Sequence, residues 1–162
     1  MQSSKDTFLL MLRDRLAVVN AARVVSIRGA LRPAVIADDV ELLPSQSEPM
    51  DCFVVRWLDE SIDSSETLPL HTLSCEVRYA TRGTQEFAGM DRGRVLAKMD
   101  AELAQILQPR STTLQDFSGS SVATGMTRVW WSLMESSPVV VDGDALRRVT
   151  KLTVFALEET EG

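Results

Sequence analysis

The stretch Leu70-His71-Thr72-Leu73-Ser74-Cys75-Glu76-Val77-Arg78-Tyr79 decides the fold, because two classes of side chain alternate along it without a break. Side chains of a β-strand point to opposite sides at every step. One face therefore carries His71, Leu73, Cys75, Val77 and Tyr79, and the other carries Thr72, Ser74, Glu76 and Arg78. The stretch predicts a strand with one face in the core and one face in water.

The sequence changes to the spacing of an amphipathic helix after a short break that contains glycines. Apolar residues then recur every three or four positions, at Val95, Leu96, Met99, Leu103, Ile106 and Leu107. Charged residues fill much of the remaining surface and are expected in water: Arg92, Arg94, Lys98, Asp100 and Glu102. This pattern predicts a helix with one apolar face, and Gln108-Pro109 ends it.

A second long helix is predicted at the beginning of the chain. Ser3 and Asp6 have the spacing of a helix N-terminus, so Ser3 is the expected N-cap. Phe8, Leu12, Leu16 and Val19 form one apolar stripe, and the helix should end near Asn20.

Strand-like segments fill most of the rest of the chain: Arg23–Arg28, Arg32–Ala37, Asp51–Leu58, Thr127–Leu133 and Val149–Leu157. Asp142-Gly143 is a turn signal, and Ser118–Ser121 with Gly125 is expected to be a flexible connection. The order is helix, strands, helix, strands. This order favours an α+β fold, with an antiparallel or mixed β-sheet and two main helices packed on one face.

Size and composition indicate one water-soluble domain. The chain has 162 residues, 44% of them hydrophobic and 25% charged, so a single domain over 1–162 is expected. No apolar run approaches the roughly 20 residues that cross a bilayer. Because the N-terminus lacks a secretion signal, a cytoplasmic location and no membrane partner are expected. Cys52 and Cys75 are predicted to be reduced core residues.

Negative charge is concentrated in one part of the sequence. The net charge is −6, and between Asp38 and Glu66 nine acidic residues face Arg56 alone. Such a segment is a poor match for nucleic acid, whose phosphates bind clustered lysine and arginine. Residues 59–67 are polar and acidic without a packing period, which predicts an acidic, mobile hairpin loop at about 58–68.

Candidate catalytic groups are few. His71 is the only histidine, and Cys75 on the same strand face would be about 13 Å away. The acid pairs Asp38-Asp39 and Asp59-Glu60 could hold a hard cation or divide acid and base roles, although neighbouring acids are usually solvated. The glycines at 83, 89 and 93 precede a helix whose N-terminus could hold phosphate, but their spacing matches neither the dinucleotide fingerprint nor the phosphate-binding loop with its Lys and Ser/Thr. The sequence therefore predicts no catalytic residue, no metal and no cofactor.

Trp130 and Trp131 are adjacent in a predicted strand, so one indole should point to each face. Burying both requires cover on both sides of the sheet or a partner chain. We interpret the pair as core plus interface.

Several strings of this chain resemble the tail terminator proteins of long-tailed bacteriophages. They are the opening helix Asp6–Leu16, the strand Cys75–Tyr79, the helix around Asp91–Leu96 and the late segment Thr127–Ser132. The resemblance covers most of the chain and consists of the order of the elements and of short sequence segments. The acidic segment Asp59–Glu66 is an insertion that is not expected in a minimal member of this family.

The resemblance implies a structural virion protein rather than an enzyme. It implies a ring-forming subunit, expected to be a homo-hexamer, that caps the tail tube, ends tail growth and offers a docking surface to a head-completion or neck protein. DNA would pass through the lumen without specific binding. The candidate subunit or tube interface comprises Asp59, Glu60, Asp63, Glu66, Trp130 and Trp131.

Three alternatives stay open at the level of sequence. The first is another neck or tail-completion protein of the same kind of particle. The second is a small metal-assisted hydrolase built from Asp38, Asp39 or the acids of 59–66. The third is a generic host adaptor domain with no phage role.

Overall fold

The computed structural model describes residues 1–117, 121–122 and 127–157. The predicted flexible connection over 118–121 and Gly125 lies outside the described residues, apart from the backbone of Ser121. The helices are α1 (Gln2–Val19), α2 (Asp38–Glu41) and α3 (Arg92–Ile106). The strands are β1 (Val24–Ile27), β2 (Ala30–Pro33), β3 (Val35–Ala37), β4 (Phe53–Asp63), β5 (Leu70–Thr81), β6 (Thr112–Thr113), β7 (Gln115–Asp116), β8 (Ser121–Val122), β9 (Arg128–Trp131), β10 (Glu135–Ser136), β11 (Val140–Asp142) and β12 (Ala145–Leu157).

One large mixed sheet organises the molecule, which confirms the α+β prediction. Its strand order is β3-β4-β5-β12-β9-β6, and β10 and β11 also pair with β12. All these pairs are antiparallel except β3 with β4. The long strands β5 and β12 pair from Leu146↔Thr81 to Leu157↔Leu70 and form the centre of the sheet. Two small hairpins, β1–β2 and β7–β8, lie outside this sheet.

The core lies between the sheet and the two long helices. In β5 the predicted inward side chains from His71 to Tyr79 are buried and the alternate ones are half-exposed. Helices α1 and α3 contact each other, and α3 also contacts β5 and β12. Phe8 of α1 packs edge-on against Trp57 and Trp131, with ring centroids 5.8 and 5.4 Å apart. Both cysteines are free and buried, as predicted. Within the described ranges, no helix combines the length and the apolar character that spanning a membrane requires.

The predicted acidic loop is the largest error in the sequence prediction. Strand β4 continues through Asp59 to Asp63, where Glu60 to Asp63 pair with Leu73 to Leu70 of β5. Only residues 64–69 connect the two strands. The backbone groups of β5 need partners over their whole length, and this requirement outweighs the polar composition of the segment. A register shift between Trp57 and Glu60 accommodates the change as a bulge.

Two predictions near the helices are also wrong. Helix α1 begins at Gln2 rather than after Ser3, and the Ser3 hydroxyl donates to the Gln115 carbonyl at 2.6 Å instead of capping the helix. Glu102 was expected in water but is only 4% exposed. It forms an ion pair with Arg23 and accepts a hydrogen bond from Asn20 at 2.7 Å. Both side chains, Ser3 and Glu102, bind residues that are distant in sequence.

Candidate docking cleft

An open cleft lies at the end of the sheet where β4 finishes and β5 begins. We call it the docking cleft. It encloses about 480 Å³ and is lined by Asp63, Glu66, Thr67, Leu68, Leu70, Trp130 and Leu157. The register of the sheet brings these residues together, because Asp63 pairs with Leu70 and Leu70 pairs with Leu157. Its volume falls within the roughly 300–1,000 Å³ of clefts that hold small ligands.

The floor of the docking cleft is apolar. Leu68, Leu70, Trp130 and Leu157 are all half-buried. Trp130 stacks on Phe155 of the neighbouring strand, with ring centroids 5.7 Å apart and planes 22° apart. This stack fixes the indole at the surface of the sheet face that the helices do not cover. Apolar surface held in water in this way is typical of an interaction site.

The rim of the docking cleft is acidic. The Ser65 amide donates to Asp63 Oδ1 at 2.9 Å, and this hydrogen bond lowers the pKa of the Asp63 carboxyl. Among the residues that the structure describes, neither Asp63 nor Glu66 has a cationic partner. The cleft therefore suits a ligand that is apolar and positively charged.

Three of the six predicted interface residues lie in this cleft: Asp63, Glu66 and Trp130. Glu60 instead forms an ion pair with Lys5 of α1 at 3.2 Å. Asp59 is exposed and lies within the bulge of β4. Trp131 is only 3% exposed and donates from Nε1 to the Leu107 carbonyl at 3.0 Å, so it is a core residue rather than an interface residue. The two indoles do point to opposite faces, as predicted.

The two alternative acid groups of the hydrolase hypothesis, Asp38-Asp39 and the acids of 59–66, lie at different places on the sheet. Asp38 accepts a hydrogen bond from Arg78 at 2.9 Å, whereas Asp63 pairs with Leu70. Arg78 and Leu70 are eight residues apart on β5, which is about 26 Å in an extended strand. Asp38 and Asp63 therefore cannot hold one metal ion together. In the described part of the chain, no group of three His, Cys, Asp or Glu side chains is placed to hold a metal.

The thiols are poorly suited to nucleophilic chemistry. Burial raises the pKa of the Cys75 thiol to about 12 and that of Cys52 to about 11. A nucleophilic cysteine needs a lowered pKa, because the thiolate is the reactive form. The structure therefore supports the prediction that both are core residues.

The glycine segment before α3 is explained by an aspartate. The Asp91 carboxylate accepts hydrogen bonds from the Thr84 amide at 2.8 Å and from the Thr84 hydroxyl at 2.7 Å, which lowers the pKa of Asp91. A Cβ atom at Gly83 would lie 2.6 Å from Asp91 Oδ1. Gly83 and Gly89 also have φ angles of +78° and +79°, so the geometry of this turn accounts for both glycines.

Exposed valines mark one margin of the main sheet. Strand β11 pairs on one side with β12, and no described strand pairs with its other side. Val139, Val140 and Val141 are 41%, 58% and 66% exposed there. An unpaired strand edge with apolar side chains is a template for association with another chain. The apolar run at 138–141 is evident in the sequence, but its position at a margin of the sheet is not.

The leucines of the docking cleft were missed as well. Leu70 and Leu157 come from distant parts of the sequence, and each one alone looks like an ordinary strand residue, whereas Leu68 lies in the connection between β4 and β5. Compared with models of known protein families and with curated proteins, the chain matches none of them.

Proposed function

We propose that this chain is a structural virion protein of the tail-terminator kind. Copies of it would assemble as a hexameric ring that caps the tail tube of a long-tailed phage, ends tail growth and offers a docking surface to a head-completion or neck protein. The observation that carries the proposal is the docking cleft, in which the predicted interface residues Asp63, Glu66 and Trp130 lie beside leucines, so that the floor is apolar and the rim acidic. Such a surface is suited to protein association.

The surfaces available for association also fit a ring. The docking cleft lies at one end of the strands, and the exposed valines of β11 lie at a lateral margin of the sheet. These are two separate surfaces, and a contact that joins either of them to a different surface of a second copy is heterologous rather than two-fold symmetric. Heterologous contacts generate rings when the rotation between neighbours closes. A ring through which DNA passes should also repel phosphate, and a net charge of −6 on each subunit serves that purpose.

Two measurements test the proposal. The mass of the purified chain across a concentration series should give a hexamer, or a monomer that becomes a hexamer when tail tube subunits are added. Electron microscopy should then show the chain at one end of reconstituted tubes, and the tubes should stop growing. A chain that remains monomeric and leaves tube length unchanged contradicts the proposal.

The same reconstitution separates the nearest alternative. A different neck or tail-completion protein would form a ring but bind completed tails, without limiting the growth of bare tube. The hydrolase alternative would require stoichiometric binding of a divalent metal by calorimetry, with loss of binding after substitution of one carboxylate.

A further inference from the structure

The hairpin formed by β1 and β2 has an uncovered apolar face. Its register pairs Ser26 with Leu31 and Val24 with Pro33, so these four residues share one side. Leu31 is 71% exposed and Val24 is 42% exposed, whereas the residues on the other side are mostly half-buried. Apolar side chains thus face water along one side of a two-stranded ribbon.

The turn of this hairpin places a free cation at its end. Arg28 and Gly29 link Ile27 to Ala30 and have φ angles of 51° and 83°. Positive φ at both positions is the type I′ turn, in which Asn or Asp usually occupies the first position. An arginine adopts this conformation at an energetic cost. Arg28 has no hydrogen bond or ion pair with any residue in the described ranges, so its side chain does not offset that cost within this copy.

The chemistry of the hairpin complements the docking cleft. The hairpin offers an exposed leucine and an unpaired guanidinium, and the cleft offers an apolar floor and two carboxylates without cationic partners. An arginine beside Trp130 and Glu66 could contact both the indole face and the carboxylate.

The hairpin cannot reach the cleft of its own copy. Its base lies where β4 begins, because the Ala34 amide donates to the Arg23 carbonyl and the Phe53 amide donates to the Ala34 carbonyl. The cleft lies where β4 ends, at Asp63, which is ten residues and roughly 30 Å further along. The hairpin extends about 17 Å from Arg23 to Arg28 even when fully extended. A β1–β2 hairpin that occupies the cleft must therefore come from another molecule.

We infer that the β1–β2 hairpin of one copy occupies the docking cleft of a second copy. Leu31 would pack on Leu70, Trp130 and Leu157, and the Arg28 guanidinium would pair with Glu66 and Asp63. The contact is head-to-tail, because it joins opposite ends of the sheet, and it can therefore propagate into a closed ring. The inference rests on the proposed function only in requiring that copies of this chain associate.

A charge-exchange experiment tests the pairing. Arg28→Glu and Glu66→Arg, made singly, should each raise the concentration at which the ring dissociates by about tenfold or more, because like charges then face each other. The double variant should recover most of the loss. The matched control is Glu86→Arg, which changes another exposed acid without a described partner and should leave the dissociation unchanged. Two single variants that weaken the ring without recovery in the double variant would contradict the pairing.

Cross-linking gives a second measurement. When the variants Arg28→Cys and Glu66→Cys are mixed, a disulfide should form between copies, and a chain that carries both cysteines should give a ladder that ends at the ring. Both native cysteines are buried and do not compete. The control uses Met90→Cys in place of Arg28→Cys. Met90 is 86% exposed and lies outside the β1–β2 hairpin, so this variant should give no cross-link.

The outcomes separate this inference from the proposed function. If the wild-type chain forms a hexamer but the charge exchange shows no recovery and position 28 does not cross-link to position 66, the inference is wrong and the ring proposal stands. If the wild-type chain stays monomeric with tube subunits present and no cross-link forms, both are wrong. If the cross-link and the recovery are observed but tubes are not capped, the contact is correct and the tail-terminator proposal is wrong.

Discussion

Replacement of Glu102 by Gln should cost a large part of the stability of this fold. The Glu102 carboxylate is buried in α3, where it forms an ion pair with Arg23 and accepts a hydrogen bond from Asn20. The side chains of Arg23 and Glu102 are 9% and 5% exposed. Glu102→Gln keeps the volume and removes the negative charge, so the guanidinium remains buried without a counter-ion. Breaking a buried ion pair in this way costs about 3–5 kcal/mol.

The size of the expected loss follows from the remaining contacts of Arg23. Its guanidinium also donates to the Asp51 carbonyl at 3.2 Å and lies 6.0 Å from the Phe53 ring centroid, and the amide of the new glutamine can still accept a hydrogen bond. These contacts place the loss at the lower end, at about 3 kcal/mol. For a chain of this size, this corresponds to a fall in Tm of about 6–12 °C.

Urea unfolding followed by tryptophan fluorescence measures the effect, with the thermal transition as a second readout. The informative control is the double variant Arg23→Met and Glu102→Leu, which replaces the pair by apolar side chains of similar size. This variant should be close to the wild type in stability or above it, because the desolvation cost of both charges disappears. A loss below about 1 kcal/mol in Glu102→Gln would show that the pair is solvated and would refute the reasoning.

Three further predictions concern turns and thiols. Arg28→Asn should stabilise the monomer by up to about 1 kcal/mol, because Asn suits the left-handed turn. The same variant should nevertheless weaken self-association. If weaker self-association came with a lower Tm, Arg28 would have a structural role in the monomer instead. Gly83→Ala should lower the free energy of unfolding in urea by about 2–4 kcal/mol. The reason is that φ is +78° at this position and the new Cβ would lie 2.6 Å from Asp91 Oδ1. The control Gly93→Ala is at a helical position with open space around it and should raise the free energy of unfolding by about 0.5–1 kcal/mol. Burial raises the pKa of Cys52 to about 11 and that of Cys75 to about 12, so both should react with a thiol reagent at pH 8 only as fast as the chain unfolds. Fast labelling of the native chain would contradict their burial. Since the thiols ionise at lower pH in the unfolded chain, the free energy of unfolding should fall as the pH rises above the pKa of an exposed thiol.

The sequence was most informative where local pattern and tertiary environment coincide. The alternation in β5 and the helical period of α3 gave the correct elements and the correct inward faces, because each element packs against one continuous core. The α+β class followed from the order of these elements.

The errors arose where a distant partner decides the structure. Glu60–Asp63 form a strand because β5 supplies their hydrogen-bond partners, and the composition of the segment does not contain that information. Glu102 is buried because Arg23, far away in sequence, supplies its counter-ion.

The docking cleft was predictable only in part, for the same reason. Acidic composition identified Asp63 and Glu66, and the tryptophan pair identified Trp130. The meeting of Leu70 with Leu157 in the floor could not be found, since it requires β5 and β12 to be in register. Trp131 was included because a doublet in a strand does not reveal which indole faces the helices.

The β1–β2 hairpin combines two features that are unfavourable for folding alone. Its base is fixed by a buried ion pair, and its turn carries an arginine in a left-handed conformation. A hydrophobic pair would hold the base at lower desolvation cost, and Asn would suit the turn better. Both features make sense for a rigid element that presents Arg28 and Leu31 in a fixed geometry, because ordering a segment before binding reduces the entropy lost on association. On this reasoning, Glu102→Gln should weaken ring formation as well as folding, and the weakening should remain at temperatures where the variant is still fully folded.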